Sequence, residues 1–75
     1  MYRLVPKFPP LSGKQIIRCL QRLGFEVIRQ SGSHVVMRQG GKGCVVPLHR
    51  QVKVGTLAGL LRQAQVDPKD FLNSL

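Results

Sequence analysis

The sequence predicts an α+β fold in which one helix, three antiparallel strands and a second helix follow in that order, with a short extra helix at the carboxyl end. Three observations support this prediction. Apolar residues recur at helical spacing in two separate segments. Three short valine-containing runs lie between those segments. Turn residues, glycine above all, separate the runs, so we expect a meander with both helices on one face and the other face open.

The first helix has both a start signal and an end signal. Ser12 and Gln15 have the spacing of a capping box, in which each side chain bonds to the backbone of the other residue. Gly24 is suited to the left-handed conformation that ends many helices. Between these positions an apolar stripe predicts the buried side, formed by Ile16, Cys19, Leu20 and Leu23.

Three strands are predicted at residues 25–30, 34–39 and 44–46. The small residues at 31–33 predict a turn in which Gly32 takes a positive φ. Residues 40–43 are rich in glycine and predict a hairpin loop. Pro47 has no backbone donor and is expected to end the third strand.

Leucine and alanine recur at helical spacing in the last third of the chain, which predicts a second helix from residue 55 or 56 to residue 65. Thr56 is expected to cap this helix. The alternative is that its free backbone N–H groups, with Lys53 beside them, hold a phosphate. Asp67 and Pro68 have the form of a cap and a first-turn proline, and they predict a short third helix at residues 71–75.

Basic residues dominate the chain and indicate its class of partner. Twelve lysines and arginines against three acids give a formal net charge of +9 in 75 residues. Between Glu26 and Asp67 there is no acid to pair with the cations of that interval. Such a distribution favours an external polyanion, which means nucleic acid, an anionic membrane or an acidic protein. A membrane is the weakest candidate, since no apolar run approaches the roughly 20 residues of a spanning helix.

One domain is predicted at residues 11–75, preceded by an extended, proline-stiffened arm at residues 1–10. The arm lacks the apolar centre of a signal peptide, so we expect a cytoplasmic protein. Cys19 and Cys44 lie far apart without CxxC spacing. They are expected to be buried, reduced thiols, not a disulfide or a zinc site.

The segment from Arg29 to Arg38 is the most informative for function. His34 follows the small-residue turn and opens an apolar run. Side chains alternate between the two faces of a strand. If Val35 and Met37 pack beneath the helices, His34 projects from the open face, and Arg38 shares its side. Histidine exchanges protons near neutral pH and arginine attracts phosphate, a combination suited to chemistry on RNA.

Residues 12–66 resemble the HicA toxins, small bacterial endoribonucleases of HicA–HicB toxin–antitoxin pairs. The matching pieces are Leu-Gln-Arg-Leu-Gly-Phe at 20–25, Arg-Gln-Ser-Gly-Ser-His at 29–34, Val-Pro-Leu-His at 46–49 and Gly-Thr-Leu at 55–57, followed by Leu-Leu-Arg-Gln-Ala at 60–64. Each piece is weak alone, but their order and spacing over three-quarters of the chain are together specific.

The resemblance implies a fold similar to the double-stranded-RNA-binding domain, an mRNA-cleaving activity and a HicB-like antitoxin that covers the active face. It also implies that His34 is the catalytic histidine, because it stands in the Gly-Ser-His motif. Two features depart from the family pattern. The arm before Leu11 is longer than usual, and the helix after Asp67 is additional. Either could alter how the antitoxin docks.

RNA cleavage without a metal ion is the mechanism that these residues favour. Metal-dependent cleavage generally needs clustered carboxylates, and only Glu26 among the three acids lies near the His34 segment. The 2′-hydroxyl of RNA can instead attack the adjacent phosphorus, with His34 acting as base or as the acid for the leaving oxygen. We therefore expect no metal and no other cofactor, products ending in a 2′,3′-cyclic phosphate or a 3′-phosphate, and no cleavage of DNA.

Further residues are candidates for holding the RNA. Arg29, Arg38 and Lys42 are expected to stabilise the developing charge. His49 is a second acid–base group, a phosphate contact or a solvated linker residue, and the sequence leaves these alternatives open. The full set of predicted RNA contacts is Arg29, Ser33, Arg38, Lys42, His49, Arg50 and Lys53.

A non-catalytic RNA-binding module is the alternative function. Composition, charge and element order fit it equally well. Only the placement of the Gly-Ser-His motif and the family resemblance favour the nuclease.

Overall fold

The elements of the computed structural model, which describes residues 7–75, follow the predicted order. The helices are α1 (Gly13–Arg22), α2 (Val54–Gln63) and α3 (Pro68–Asn73). The strands are β1 (Glu26–Ser31), β2 (His34–Gln39) and β3 (Lys42–Pro47), and they form one antiparallel sheet in the order β1-β2-β3. The predicted α+β class, with its α-β-β-β-α order and short third helix, is confirmed.

The start and end of α1 are those that the sequence predicts. The backbone N–H of Gln15 donates to Oγ of Ser12 at 3.2 Å, and the N–H of Ser12 donates to Oε1 of Gln15 at 2.8 Å. Gly24 follows the helix with a φ of 98°, a conformation that glycine adopts without steric cost. The capping box and the glycine end are therefore both confirmed.

Two tight turns connect the three strands. Gly32 and Gly40 are each the first central residue of a two-residue turn, and each has a φ of 59°. Glycine with positive φ at this position is typical of the type II′ turn, which matches the twist of an antiparallel pair. Gln39 pairs with Lys42, so the predicted loop at residues 40–43 is shorter than expected and β3 starts at Lys42. β3 ends at Pro47, as predicted.

A bulge interrupts the pairing of β1 with β2. Counting from the turn, Arg29 lies opposite Val36, but the next pair is Val27 with Met37. Ile28 is the extra residue, and the register shift brings Glu26 opposite Arg38. An extra residue in one strand reverses which face each following side chain takes.

The core lies between the helices and one face of the sheet. Inward side chains of β2 and β3 belong to the same buried cluster as residues of α1, α2 and α3. These strand residues are Val35, Met37, Cys44 and Val46. Both cysteines are free and buried, as predicted, and Sγ of Cys19 donates to the carbonyl of Phe71 at 3.1 Å.

Residues 1–6 of the predicted arm lie outside the described residues, and residues 7–10 form no helix or strand. Phe8 is half-buried and packs edge-on against Phe71, with ring centroids 6.1 Å apart. Within residues 7–75, the helices are too short or too polar to span a lipid bilayer.

The predicted starts of α2 and α3 are wrong by one to three residues. Lys53 is the N-cap of α2 and makes no side-chain capping bond, whereas Thr56 lies inside the helix. The prediction that Thr56 caps this helix is therefore wrong. α3 begins at Pro68, and its N-cap Asp67 accepts from the N–H of Lys69 at 2.8 Å. The proline starts the helix because its fixed φ suits the first helical position.

Candidate active site on the open sheet face

Strand register defines the open face of the sheet. Directly paired residues of an antiparallel sheet share a face, and the buried pairs Val35–Val46 and Met37–Cys44 mark the helix side. The opposite side is the open face, which carries Glu26, Arg29 and Ser31 from β1, His34, Val36 and Arg38 from β2, and Gly43, Val45 and Pro47 from β3. His34 and Arg38 are both exposed there, as the alternation predicts.

His34 is the first residue of β2 and directly follows the Gly32 turn. Its cross-strand partners are Ser31 and Pro47. The N–H of Leu48 donates to the carbonyl of Ser33 at 2.7 Å, so the next pair, His34 with Pro47, does not require a hydrogen bond from the proline. His34 is exposed and lies between the exposed Ser31 and the buried Pro47. These three residues form what we call the near end of the open face.

Arg29 is the closest strand cation to His34 by register. It lies opposite Val36, which makes it the diagonal neighbour of His34. Diagonal neighbours on adjacent strands are about 7–8 Å apart, within reach of a long side chain. Arg29 is exposed, and its side chain is long enough to reach an anion held beside His34.

The far end of the open face consists of Glu26, Arg38 and Gly43. Arg38 lies four residues along β2 from His34, about 13 Å at the usual rise of a strand. A Cβ at Gly43 would lie 3.2 Å from Cγ of Arg38, so the arginine stem rests over the glycine. Glu26 is the partner of Arg38 and is an acid on the open face itself. Among the described residues, no three His, Cys, Asp or Glu side chains group together as metal ligands.

Lys42 does not share the open face with His34. Its partner Gln39 belongs to the helix side, where Nε2 of Gln39 donates to the carbonyl of Leu23 at 3.2 Å. Lys42 lines a depression there together with Asp67 and Asp70. The structure thus separates Lys42 from the other predicted RNA contacts of the sheet.

The remaining predicted contacts lie in the two segments that adjoin the near end along the chain, the turn before β2 and the segment after β3. Ser33 is exposed in the turn before His34, and His49, Arg50 and Lys53 are exposed in the segment between β3 and α2. That segment is held to the domain by backbone hydrogen bonds, from Gly13 N–H to the His49 carbonyl at 2.9 Å and from Val52 N–H to the Leu11 carbonyl at 2.8 Å. The sequence does not reveal these bonds, because they join residues more than 35 positions apart.

An apolar centre lies between the near and far ends. Val36 is half-buried, and its partner Val45 is 44% exposed. The sequence signal for this feature is the run of three apolar residues at 44–46. Because side chains of a strand alternate, burial of Cys44 and Val46 turns Val45 outward.

Comparison with known families places this site in context. Residues 13–66 match the family of the HicA toxin of bacterial toxin–antitoxin systems, which is more than half of the chain. The chain belongs to the HicA toxins. The matched residues include the whole sheet and α2, whereas Phe8 and α3 lie outside them. A search of curated proteins finds no match to the chain.

Membership of the HicA toxins identifies the biological setting. The chain is the toxin type of a toxin–antitoxin pair, and such a toxin has an antitoxin as its partner. The open face, with His34 at one end and two arginines along it, lies within the matched residues.

Proposed function

We propose that the protein is an endoribonuclease that cleaves mRNA at the near end of its open face, with His34 as the base. The single observation that supports this most is the exposed imidazole of His34 on the open face, diagonal to Arg29. A cation at that position stabilises negative charge that develops on a phosphate next to the imidazole.

The proposed reaction is a transesterification within the RNA chain. His34 removes the proton of a ribose 2′-hydroxyl, and the 2′ oxygen forms a bond to the adjacent phosphorus. The bond from phosphorus to the 5′ oxygen breaks and that oxygen takes up a proton, which leaves a 2′,3′-cyclic phosphate and a 5′-hydroxyl end. Arg29 stabilises the charge on the non-bridging oxygens, and Arg38 holds the RNA backbone further along the face. No step requires a divalent ion.

The antitoxin is proposed to inhibit the enzyme by covering the open face. Arg29 and Arg38 are exposed there and attract an acidic surface. Val36 and Val45 form an apolar centre between them that a protein partner would bury. Because mRNA is the target, we expect the protein to act in the cytoplasm.

Incubation of the purified protein with RNA in EDTA tests this function. We expect cleavage of RNA with 2′,3′-cyclic phosphate products, no cleavage of a DNA strand of the same sequence, and a loss of at least 100-fold in the His34→Ala variant. Gln21→Ala is the matched control, because Gln21 is exposed on α1 and distant from the open face. RNA binding is measured for each variant by fluorescence anisotropy.

Two results would overturn the nuclease. One is cleavage that EDTA abolishes or that extends to DNA, which would exclude the proposed mechanism. The other is RNA binding by the unmodified protein without any cleavage, which would leave the RNA-binding module as the function.

A further inference from the structure

The segment after β3 brings a second histidine to the near end of the open face. The N–H of Leu48 donates to the carbonyl of Ser33, the residue just before His34, at 2.7 Å. The next residue, His49, accepts from the N–H of Gly13 at 2.9 Å through its own carbonyl. The backbone of His49 is therefore fixed on both sides and does not belong to a free linker.

The side chain of His49 takes the same face as that of His34. Pro47 is opposite His34 by register, although it is itself buried, and Leu48 packs against the core. The bond from Leu48 N–H to the Ser33 carbonyl continues the strand pairing one residue past Pro47. Since successive side chains of a paired strand point to opposite sides, we infer that the exposed side chain of His49 lies on the side of His34. Two residues beyond the partner of His34, it takes the diagonal position on this side, and diagonal neighbours of an antiparallel pair are about 7–8 Å apart.

His34 thus has a diagonal neighbour on each side, Arg29 from β1 and His49 after β3. A phosphodiester held between His34 and His49 has one imidazole on each side, and the side chain of Arg29, beyond His34, is long enough to extend towards it. In an in-line displacement the attacking and leaving oxygens lie on opposite sides of phosphorus. One imidazole next to the attacking oxygen therefore does not reach the leaving oxygen in the same step.

We propose that His49 is the general acid of the cleavage reaction, an inference that rests on the proposed function of His34 as base. His34 accepts the proton of the 2′-hydroxyl as the bond from the 2′ oxygen to phosphorus forms. The bond from phosphorus to the 5′ oxygen breaks, and protonated His49 donates its proton to that oxygen. His34 gains one proton and His49 loses one, so the total charge of the pair does not change. An exchange of protons with water then restores the starting state of each imidazole.

A substrate with a better leaving group tests this role. The experiment uses ordinary RNA and RNA in which sulfur replaces the 5′ oxygen at the bond that the unmodified protein cuts. A thiol has a pKa of about 8.5, far below that of an alcohol, so the thiolate leaves without an acid. We expect His49→Ala to cut ordinary RNA about 100- to 10,000-fold more slowly and the sulfur substrate at nearly the rate of the unmodified protein. His34→Ala is expected to be slow on both substrates.

Gln51→Ala is the matched control, since Gln51 is exposed in the same segment and takes no part in the proposal. Thermal unfolding and binding to 2′-O-methyl RNA establish that each variant is folded and binds. Equal slowing of His49→Ala on both substrates would overturn the acid role, and so would full activity on ordinary RNA. Cleavage of neither substrate by the unmodified protein would instead refute the proposed function itself.

Discussion

Cys44 lies on the inward side of β3, opposite Met37, with 5% of its surface exposed. Burial raises the pKa of its thiol from 9.0 to about 11. Burial also raises the pKa of the Cys19 thiol, although the positive charge of Arg22 opposes this shift. Both thiols are therefore protonated near neutral pH. Since the thiolate is the reactive form, they act as packing groups and not as nucleophiles.

The raised pKa of Cys44 predicts how stability depends on alkaline pH. The folded chain holds the thiol proton more tightly than the unfolded chain does, so this stabilisation is complete below pH 9 and is lost as pH rises towards 11. We expect the free energy of unfolding to fall by about 1–3 kcal/mol from this group across that interval. Urea unfolding at pH 8 and pH 11 measures it.

Cys44→Val is the comparison for this prediction, because valine fills a similar volume and does not titrate. Its free energy of unfolding should fall less than that of the unmodified protein over the same pH interval. Equal falls in the two proteins would show that ionisation of the thiol does not contribute.

At the scale of single residues, the sequence predicts faces better than distances. Alternation along β2 predicts that His34 and Arg38 are exposed and that Met37 is buried, because a strand has a strict period of two. The position of Lys42 could not be found in this way. The face that Lys42 takes depends on the number of residues in the hairpin loop, and the glycines at 40, 41 and 43 allow several loop lengths.

Gly13 joins α1 to the segment that holds His49. A Cβ at this position would lie 2.1 Å from the carbonyl oxygen of Pro47 and 2.9 Å from Cα of Leu48, both of which are backbone atoms. The absence of a side chain lets the helix start approach closely enough for the Gly13 N–H to reach the His49 carbonyl. The glycine thus positions one end of the candidate site through a contact between elements.

Gly13→Ala is expected to destabilise the protein by about 1–3 kcal/mol, because backbone atoms must shift to admit the methyl group. Gly59→Ala is the matched control in α2, where no atom lies within 4 Å of the added Cβ. It is expected to stabilise the protein by about 0.5–1 kcal/mol, since alanine favours a helix over glycine. Chemical denaturation of the three proteins gives both values. A neutral Gly13→Ala would show that the helix start can move away without cost.

The ends of elements were predictable where a side chain or a glycine marks them. The capping box marks the start of α1 and Gly24 marks its end. Each of the two strand turns contains a glycine with positive φ. α2 was misplaced because Lys53 caps it without a side-chain bond, so no local pattern marks its start. The bulge at Ile28 was not predictable either, because it arises from how β1 fits β2.

The formal net charge of +9 is distributed over both sides of the molecule. Arg29 and Arg38 lie on the open face, whereas Arg18 is exposed on α1, which packs on the other side of the sheet. Total charge therefore does not identify the surface that binds RNA. Each cation that contacts a phosphate releases a counterion, so the salt dependence of binding counts the contacts.

Single substitutions of these arginines distinguish the two sides. In a His34→Ala background, which prevents cleavage, we expect Arg29→Gln and Arg38→Gln each to lower the slope of log affinity against log salt by about 0.7–0.9. Arg18→Gln removes the same charge and should leave the slope unchanged, because α1 lies behind the sheet. Titration of labelled RNA at several salt concentrations gives the slopes. If Arg18→Gln lowers the slope and the other two substitutions do not, the RNA does not lie on the open face, and the row of Arg29, residue 34 and His49 has no phosphate to act on.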